Sequence, residues 1–67
     1  MIVFDKLWET MARKNVSTYL LREQCGIDSK TIRRLRANEN IETKTLDKLC
    51  RALNCTLDEI AEYRPEN

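Results

Sequence analysis

Asp28-Ser-Lys-Thr-Ile-Arg-Arg-Leu-Arg-Ala37 is the stretch from which the rest of the chain is read. Wound as a helix at roughly 100° per residue, it puts Ile32 and Leu35 on one face, with Asp28 and Thr31 close by. Ser29, Lys30, Arg33, Arg34 and Ala37 fall on the opposite face. The result is a short helix with an apolar stripe to bury and an outward row of long cationic donors. Such a helix suits the edge of an anion lattice, of which DNA is the commonest, and a DNA-reading helix over about 29–37 is the first expectation.

Working outward, Gly26 stands two residues before the helix and supplies the left-handed backbone of a tight turn. Ile27 then points inward and Asp28 caps the helix near Thr31. Upstream, Ser17 is placed to cap a helix through Leu20, Leu21 and Cys25, with Val16 as its hydrophobic staple. Of Tyr19 and Leu20, which flank Leu21, one is expected to stay exposed. Phe4, Leu7, Trp8 and Met11 recur at helical spacing from about residue 5 to 14, which makes Trp8 a core anchor of a first helix. Downstream, Asn38-Glu-Asn-Ile is a connector. Leu46, Leu49, Cys50 and Leu53 give a fourth stripe that stops at Asn54. Thr56-Leu-Asp-Glu59 is a capping box that opens a fifth short helix through Ile60 and Ala61, and Tyr63 either closes the core or joins a dimer contact. No strand pattern and no internal repeat is evident.

With 67 residues the chain forms one domain, 1–67, with the two-helix motif over about 17–37 and the last two helices over about 43–63. The 42% hydrophobic and 34% charged composition fits a globular helical protein, and one Gly and one Pro leave little for long loops. The net charge of +1 conceals an asymmetry. Residues 1–38 carry eight Lys/Arg against four Asp/Glu, whereas residues 39–67 carry four against seven. The basic half points to a polyanion-facing surface, weighed evenly against ordinary solvated charge.

Other chemistries find little footing. The three cysteines Cys25, Cys50 and Cys55 lack CxxC spacing and histidine is absent, so no metal site is expected. Cys25 and Cys50 fall at positions of the apolar period and read as small reduced hydrophobes, while Cys55 lies at a turn. Without His, a Gly-rich phosphate loop or a nucleophile beside a base, the chain is not expected to be an enzyme, and no cofactor or small-molecule ligand is implied. Asp58 and Glu59 fit a helix cap better than acid–base work. No apolar run approaches the roughly 20 residues of a membrane span. Met-Ile-Val-Phe-Asp lacks the character of a signal peptide, so a cytoplasmic protein is the simplest expectation.

A short helix, a turn with Gly and a second short helix with a basic outer face is the helix-turn-helix layout. Leu21-Arg-Glu-Gln-Cys-Gly-Ile-Asp-Ser-Lys-Thr-Ile-Arg-Arg-Leu35 resembles the motif of the phage-repressor/Cro-like helix-turn-helix family, Leu-Ala-x-x-Leu-Gly-Val-Ser-x-x-Thr-Ile-Ser-x-Ile. Thr45-Leu-Asp-Lys-Leu-Cys-Arg-Ala-Leu-Asn-Cys-Thr-Leu-Asp-Glu-Ile60 resembles that family's fourth and fifth helices. The likeness spans roughly residues 16–62, with both blocks in the family's order. It implies an all-α, compact five-helix bundle of the lambda-repressor-like type that binds double-stranded DNA as a transcriptional regulator. Arg22 stands at a position where the family has a small Ala, Asn38 where Gly is frequent, and Ser29 and Lys30 where many relatives carry amides.

The resemblance also assigns roles. Ser29, Lys30 and Arg33 match positions that face base edges, and Arg34, on the same face, reaches a base or a phosphate. Lys30 and Arg33 favour guanine O6 and N7. Ser17, Thr18, Thr31 and Arg36 are the phosphate candidates. For any single arginine, a solvated face or a salt bridge, for instance to Glu39, weighs about equally; for the row as a set, DNA contact is favoured. Family logic further implies a homodimer on two half-sites, although no dimerisation arm is evident. The alternative from another class is a protein-interaction module, antitoxin-like or anti-repressor, whose basic face docks an acidic partner. A salt titration separates the two, because DNA binding weakens log-linearly with salt through counterion release.

Overall fold

The computed structural model describes residues 1–65. In chain order the elements are β1 (Ile2–Val3), α1 (Asp5–Arg13), α2 (Thr18–Gln24), α3 (Ser29–Arg36), α4 (Thr43–Leu53), one 3₁₀ turn (Leu57–Glu59) and β2 (Glu62–Tyr63). The helix boundaries follow from local chemistry. At the start of α2, Ser17 Oγ accepts from the Leu20 N–H at 3.2 Å, and at the start of α3, Asp28 Oδ1 accepts from the Thr31 N–H at 2.8 Å. Helices end where the backbone turns left-handed, at Asn15 (φ 60°), Asn38 (φ 56°) and Asn54 (φ 50°), and Gly26 (φ 72°) makes the turn between α2 and α3. After glycine, asparagine is among the residues that enter this region most readily.

One apolar cluster joins the helices. Leu7 of α1, Leu21 of α2, Leu35 of α3, Leu49 and Leu53 of α4 and Ile60 after the 3₁₀ turn are all essentially buried, with Phe4, Met11, Ile27 and Ile32 around them. Each such side chain contributes about 1.5–3 kcal/mol relative to exposure. Thr10 is the buried polar residue among the described ones, and its hydroxyl donates to the Glu59 carbonyl at 2.6 Å. With the Arg13–Glu59 ion pair at 2.9 Å, that bond docks the 3₁₀ turn on α1.

The C-terminal region corrects two sequence expectations. The fifth helix is a single 3₁₀ turn, so the bundle has four α-helices among the described residues, and the chain then runs into β2. The capping box itself forms, with Glu59 Oε1 accepting from the Thr56 N–H at 3.1 Å. Strands also exist where no strand pattern was evident. Ile2 pairs with Tyr63 and Val3 with Glu62 in an antiparallel two-residue ribbon. The Arg64 N–H donates to the Met1 carbonyl at 2.8 Å, and the Met1 amino group donates back to the Arg64 carbonyl. Two residues are too few to show a period of two, and a pairing across some 60 residues leaves no local trace.

Several side chains that the sequence left open are now placed, and a few sit shallower than expected. Tyr63 is 67% exposed and does not close the core. Trp8, Cys25 and Cys50 are half-buried at the rim of the cluster rather than fully inside it. Of the α2 pair left open, Tyr19 is the exposed one and Leu20 is half-buried. Cys55 is half-buried too, and that burial, with Cys50 beside it, pushes its thiol pKa up.

Candidate nucleic-acid interface

The packing of α3 decides which of its side chains can meet a partner. Ile32 and Leu35 anchor its inner face in the core, and this fixes the rotation of the helix about its axis. Ser29, Lys30, Arg33 and Arg34 consequently all lie exposed on the outer face, as the period requires. Lys30, Arg33 and Arg34 line a shallow groove of about 280 Å³ with Glu39, the residue after the left-handed Asn38. Despite that proximity, Lys30, Arg33 and Arg34 make no ion pair among the described residues; the arginines that do are Arg13, Arg51 and Arg64.

Asp28 caps the start of the helix that carries this row. Its hydrogen bonds to the Thr31 hydroxyl and N–H hold its pKa below the usual value, assisted by the nearby charges of Arg34 and Lys30. It stays ionised and occupied as a cap.

The four phosphate candidates are not gathered at one spot. Ser17 and Thr18 stand at the start of α2, Ser17 exposed with its hydroxyl engaged in the cap and Thr18 half-buried. Thr31 is half-buried in the first turn of α3, on the side between the core and the cation row. Arg36 departs from the row altogether. Its guanidinium lies over the Trp8 ring of α1, 4.7 Å from the centroid. A planar cation on an indole face is worth about 0.5–1 kcal/mol at an exposed site, and here it ties the last turn of α3 to α1.

A second tie at the same end escaped sequence reasoning. The Asn38 side-chain carbonyl accepts from the Phe4 N–H at 2.8 Å, joining the end of α3 to the residue that follows β1. Only the Asn at a turn position was legible as a signal; its partner, 34 residues away, was not. Together, Trp8 and Phe4 hold the C-terminal end of α3 while Asp28 and the core hold its start. The cation row is thus mounted on a helix fixed at both ends, as a rigid reading surface requires. Among the described residues no group of three or more His, Cys, Asp or Glu is placed to hold a metal, and no helix is long and apolar enough to cross a membrane.

Comparison with known proteins agrees with this geometry. The family model described as a Cro/C1-type HTH DNA-binding domain matches residues 6–66. Among solved structures, the chain is similar to the transcriptional regulator VanUg, with a TM-score of 0.87 and 32% identity over 97% of this chain and 87% of that one. No curated protein sequence matches.

Proposed function

Because the chain belongs to the Cro/C1-type helix-turn-helix DNA-binding family, we propose that this DNA-binding protein is a transcriptional regulator that recognises specific double-stranded sequences with α3 in the major groove. The observation that carries the reading is the exposed row Ser29, Lys30, Arg33 and Arg34 on a helix whose other face is locked into the core. The likeness to a transcriptional regulator over nearly the whole chain supports it.

In this reading α3 enters the groove with Ser29 and Lys30 leading. Lys30 and Arg33 offer donors to guanine O6 and N7, Ser29 serves donors or acceptors, and Arg34 reaches a base edge or the nearer phosphate. Ser17, Thr18 and Thr31 meet the sugar–phosphate backbone and set the register of the protein on the duplex. Arg36 reaches a phosphate only by leaving Trp8, so its first role is to position α3. The row's own charge favours approach of a polyanion by this side, since Lys30, Arg33 and Arg34 are all exposed there.

The test is fluorescence anisotropy on random and then selected duplex DNA across a salt series, with wild type beside Arg33→Ala/Arg34→Ala. Each lost base contact costs about 1–3 kcal/mol, so the double variant is expected to bind about a hundred-fold or more weakly, with unchanged melting. Wild-type affinity should fall log-linearly with salt. A folded wild type that ignores DNA at low salt overturns the proposal.

A further inference from the structure

We propose that Cys50 and Cys55 form a two-thiolate site for a soft monovalent metal ion of the copper(I) class. Their meeting is dictated by how α4 ends. Asn54 takes the left-handed conformation (φ 50°), its N–H donates to the Arg51 carbonyl at 3.4 Å, and the Cys55 N–H donates to the Cys50 carbonyl at 3.0 Å. In a helix ending of this kind, the residue after the left-handed one folds back over the last turn, and its side chain commonly meets that of the residue whose carbonyl it bonds. Ordinarily the two side chains are hydrocarbon. Here both are cysteine, and a hydrogen bond joins the two thiols.

The surroundings suit a metal better than an oxidant. Both side chains are half-buried, packed against the apolar cluster on one side and still reached by solvent on the other. Burial, followed by the neighbouring Cys50 and Glu59, holds the Cys55 thiol above its ordinary pKa. A protonated thiol attacks disulfides and peroxides slowly, which keeps the pair reduced. It still gives up its proton to a metal that binds sulfur strongly.

Donor count selects the metal. Structural zinc takes four protein ligands and catalytic zinc three, whereas among the described residues no group of three His, Cys, Asp or Glu is placed to hold an ion. Glu59, the carboxylate near Cys55, is already held by Arg13 and by the Thr56 N–H. Cys25 belongs to the end of a different helix, α2. A monovalent ion with a filled d shell is satisfied by two thiolates, and thiolate sulfur is the ligand that copper(I) prefers. On binding, each sulfur gives a lone pair to the ion, both thiol protons leave to solvent, and the bis-thiolate unit carries one negative charge. Lys14 is placed to meet that charge. Its ammonium donates to the Asn54 carbonyl at 3.3 Å, on the turn between the two cysteines, and its charge already acts on Cys55 in the direction of the thiolate. The site is confined to the end of α4 and the turn after it, so it does not rest on the DNA reading.

The experiment titrates the fully reduced chain, in the absence of oxygen and of DNA, with copper(I) buffered by a chromophoric chelator such as bicinchoninate. Wild type is expected to take one ion per chain from the chelator and to melt at a higher temperature once it holds the ion. Cys50→Ser and Cys55→Ser should each weaken binding more than about a hundred-fold, the upper end of what loss of an outer partner costs. Cys25→Ser should leave it unchanged. X-ray absorption at the copper edge should report two sulfur neighbours. Melting of each metal-free variant checks the fold, and Cys50→Ala or Cys55→Ala replaces a serine variant that does not fold. A wild type that leaves all the copper with the chelator overturns the proposal. Binding that survives the loss of Cys50 or of Cys55, that needs Cys25, or that takes one ion per two chains overturns it as well.

Discussion

The α2–α3 motif and the terminal ribbon are held by opposite kinds of information. In the motif, each boundary is decided within a few residues: Ser17 on Leu20, Asp28 on Thr31, and Gly26 at the turn. In the ribbon, every defining contact joins residues far apart, Ile2 to Tyr63, Thr10 to Glu59 and Phe4 to Asn38. Their surfaces differ in the same way, since the motif shows solvent a row of cations and the ribbon shows it apolar side chains. One region is charged and specified by near neighbours, the other apolar and specified only across the chain.

The sharpest way to break that comparison is through leucine. Leu35 of α3 is fully buried, whereas Leu57 of the 3₁₀ turn is 53% exposed. Leu35→Ala removes side-chain atoms from the centre of the cluster and should cost about 2–5 kcal/mol. A chain of this length has only about 3–10 kcal/mol to lose, so this variant is expected to lose a large share of its stability, read as a much lower urea midpoint. Leu57→Ala, at an exposed position, should stay within about 0.5 kcal/mol of wild type. Equal losses in urea titrations would mean that the two regions are not distinguished by burial.

That contrast also explains what the sequence made readable. The stripe Leu46, Leu49, Cys50 and Leu53 and the pair Ile32 and Leu35 announce their helices because burial repeats with the helical period. The outward row of α3 follows from the same arithmetic. Lys30, Arg33 and Arg34 were therefore legible as a surface, and Asp28 and Thr56 as caps. Tyr63 was not, because a two-residue strand carries no period and its partner lies at the other end of the chain. Arg36 illustrates the intermediate case: its helix was evident, but its position over Trp8 depends on how α3 crosses α1. The Thr56 capping box formed as read, yet only one 3₁₀ turn followed, since Ile60 is drawn into the core and the chain must reach Val3 within three residues.

Asn38 belongs to both regions, and two substitutions separate its two duties. Asn38→Gly keeps the left-handed backbone and loses only the bond to the Phe4 N–H, an expected cost of about 1 kcal/mol. Asn38→Ala loses that bond and also strains φ, for about 2 kcal/mol in total. The gap between the two urea midpoints reports the backbone share, and the gap between glycine and wild type reports the tie to the ribbon. A glycine variant as stable as wild type would show that the tie contributes nothing and that the regions join only through the core.

The smallest expected effect concerns acid, and it touches the two regions through different carboxylates. Asp28 caps α3, while Asp58 and Glu59 serve the 3₁₀ turn, and all three have pKa values lowered in the fold. For Asp28 the Thr31 bonds are the main cause; for Asp58 it is the Thr56 hydroxyl, and for Glu59 the Thr56 N–H and hydroxyl, with Arg13 adding its charge. A carboxylate whose pKa is lower folded than unfolded adds stability that is complete above its unfolded pKa, about 4, and is lost as pH falls through the folded value. Stability should accordingly hold near neutrality and decline below about pH 4–5. Asp28→Asn keeps an acceptor on the cap but cannot be protonated there, so its urea midpoint should fall less between pH 5 and pH 3 than that of wild type. Glu59→Gln should flatten the same limb through the other region. If the two flattenings add in the double variant, the caps titrate independently and the regions share only their core. If either variant declines as steeply as wild type, that cap is not what acid undoes.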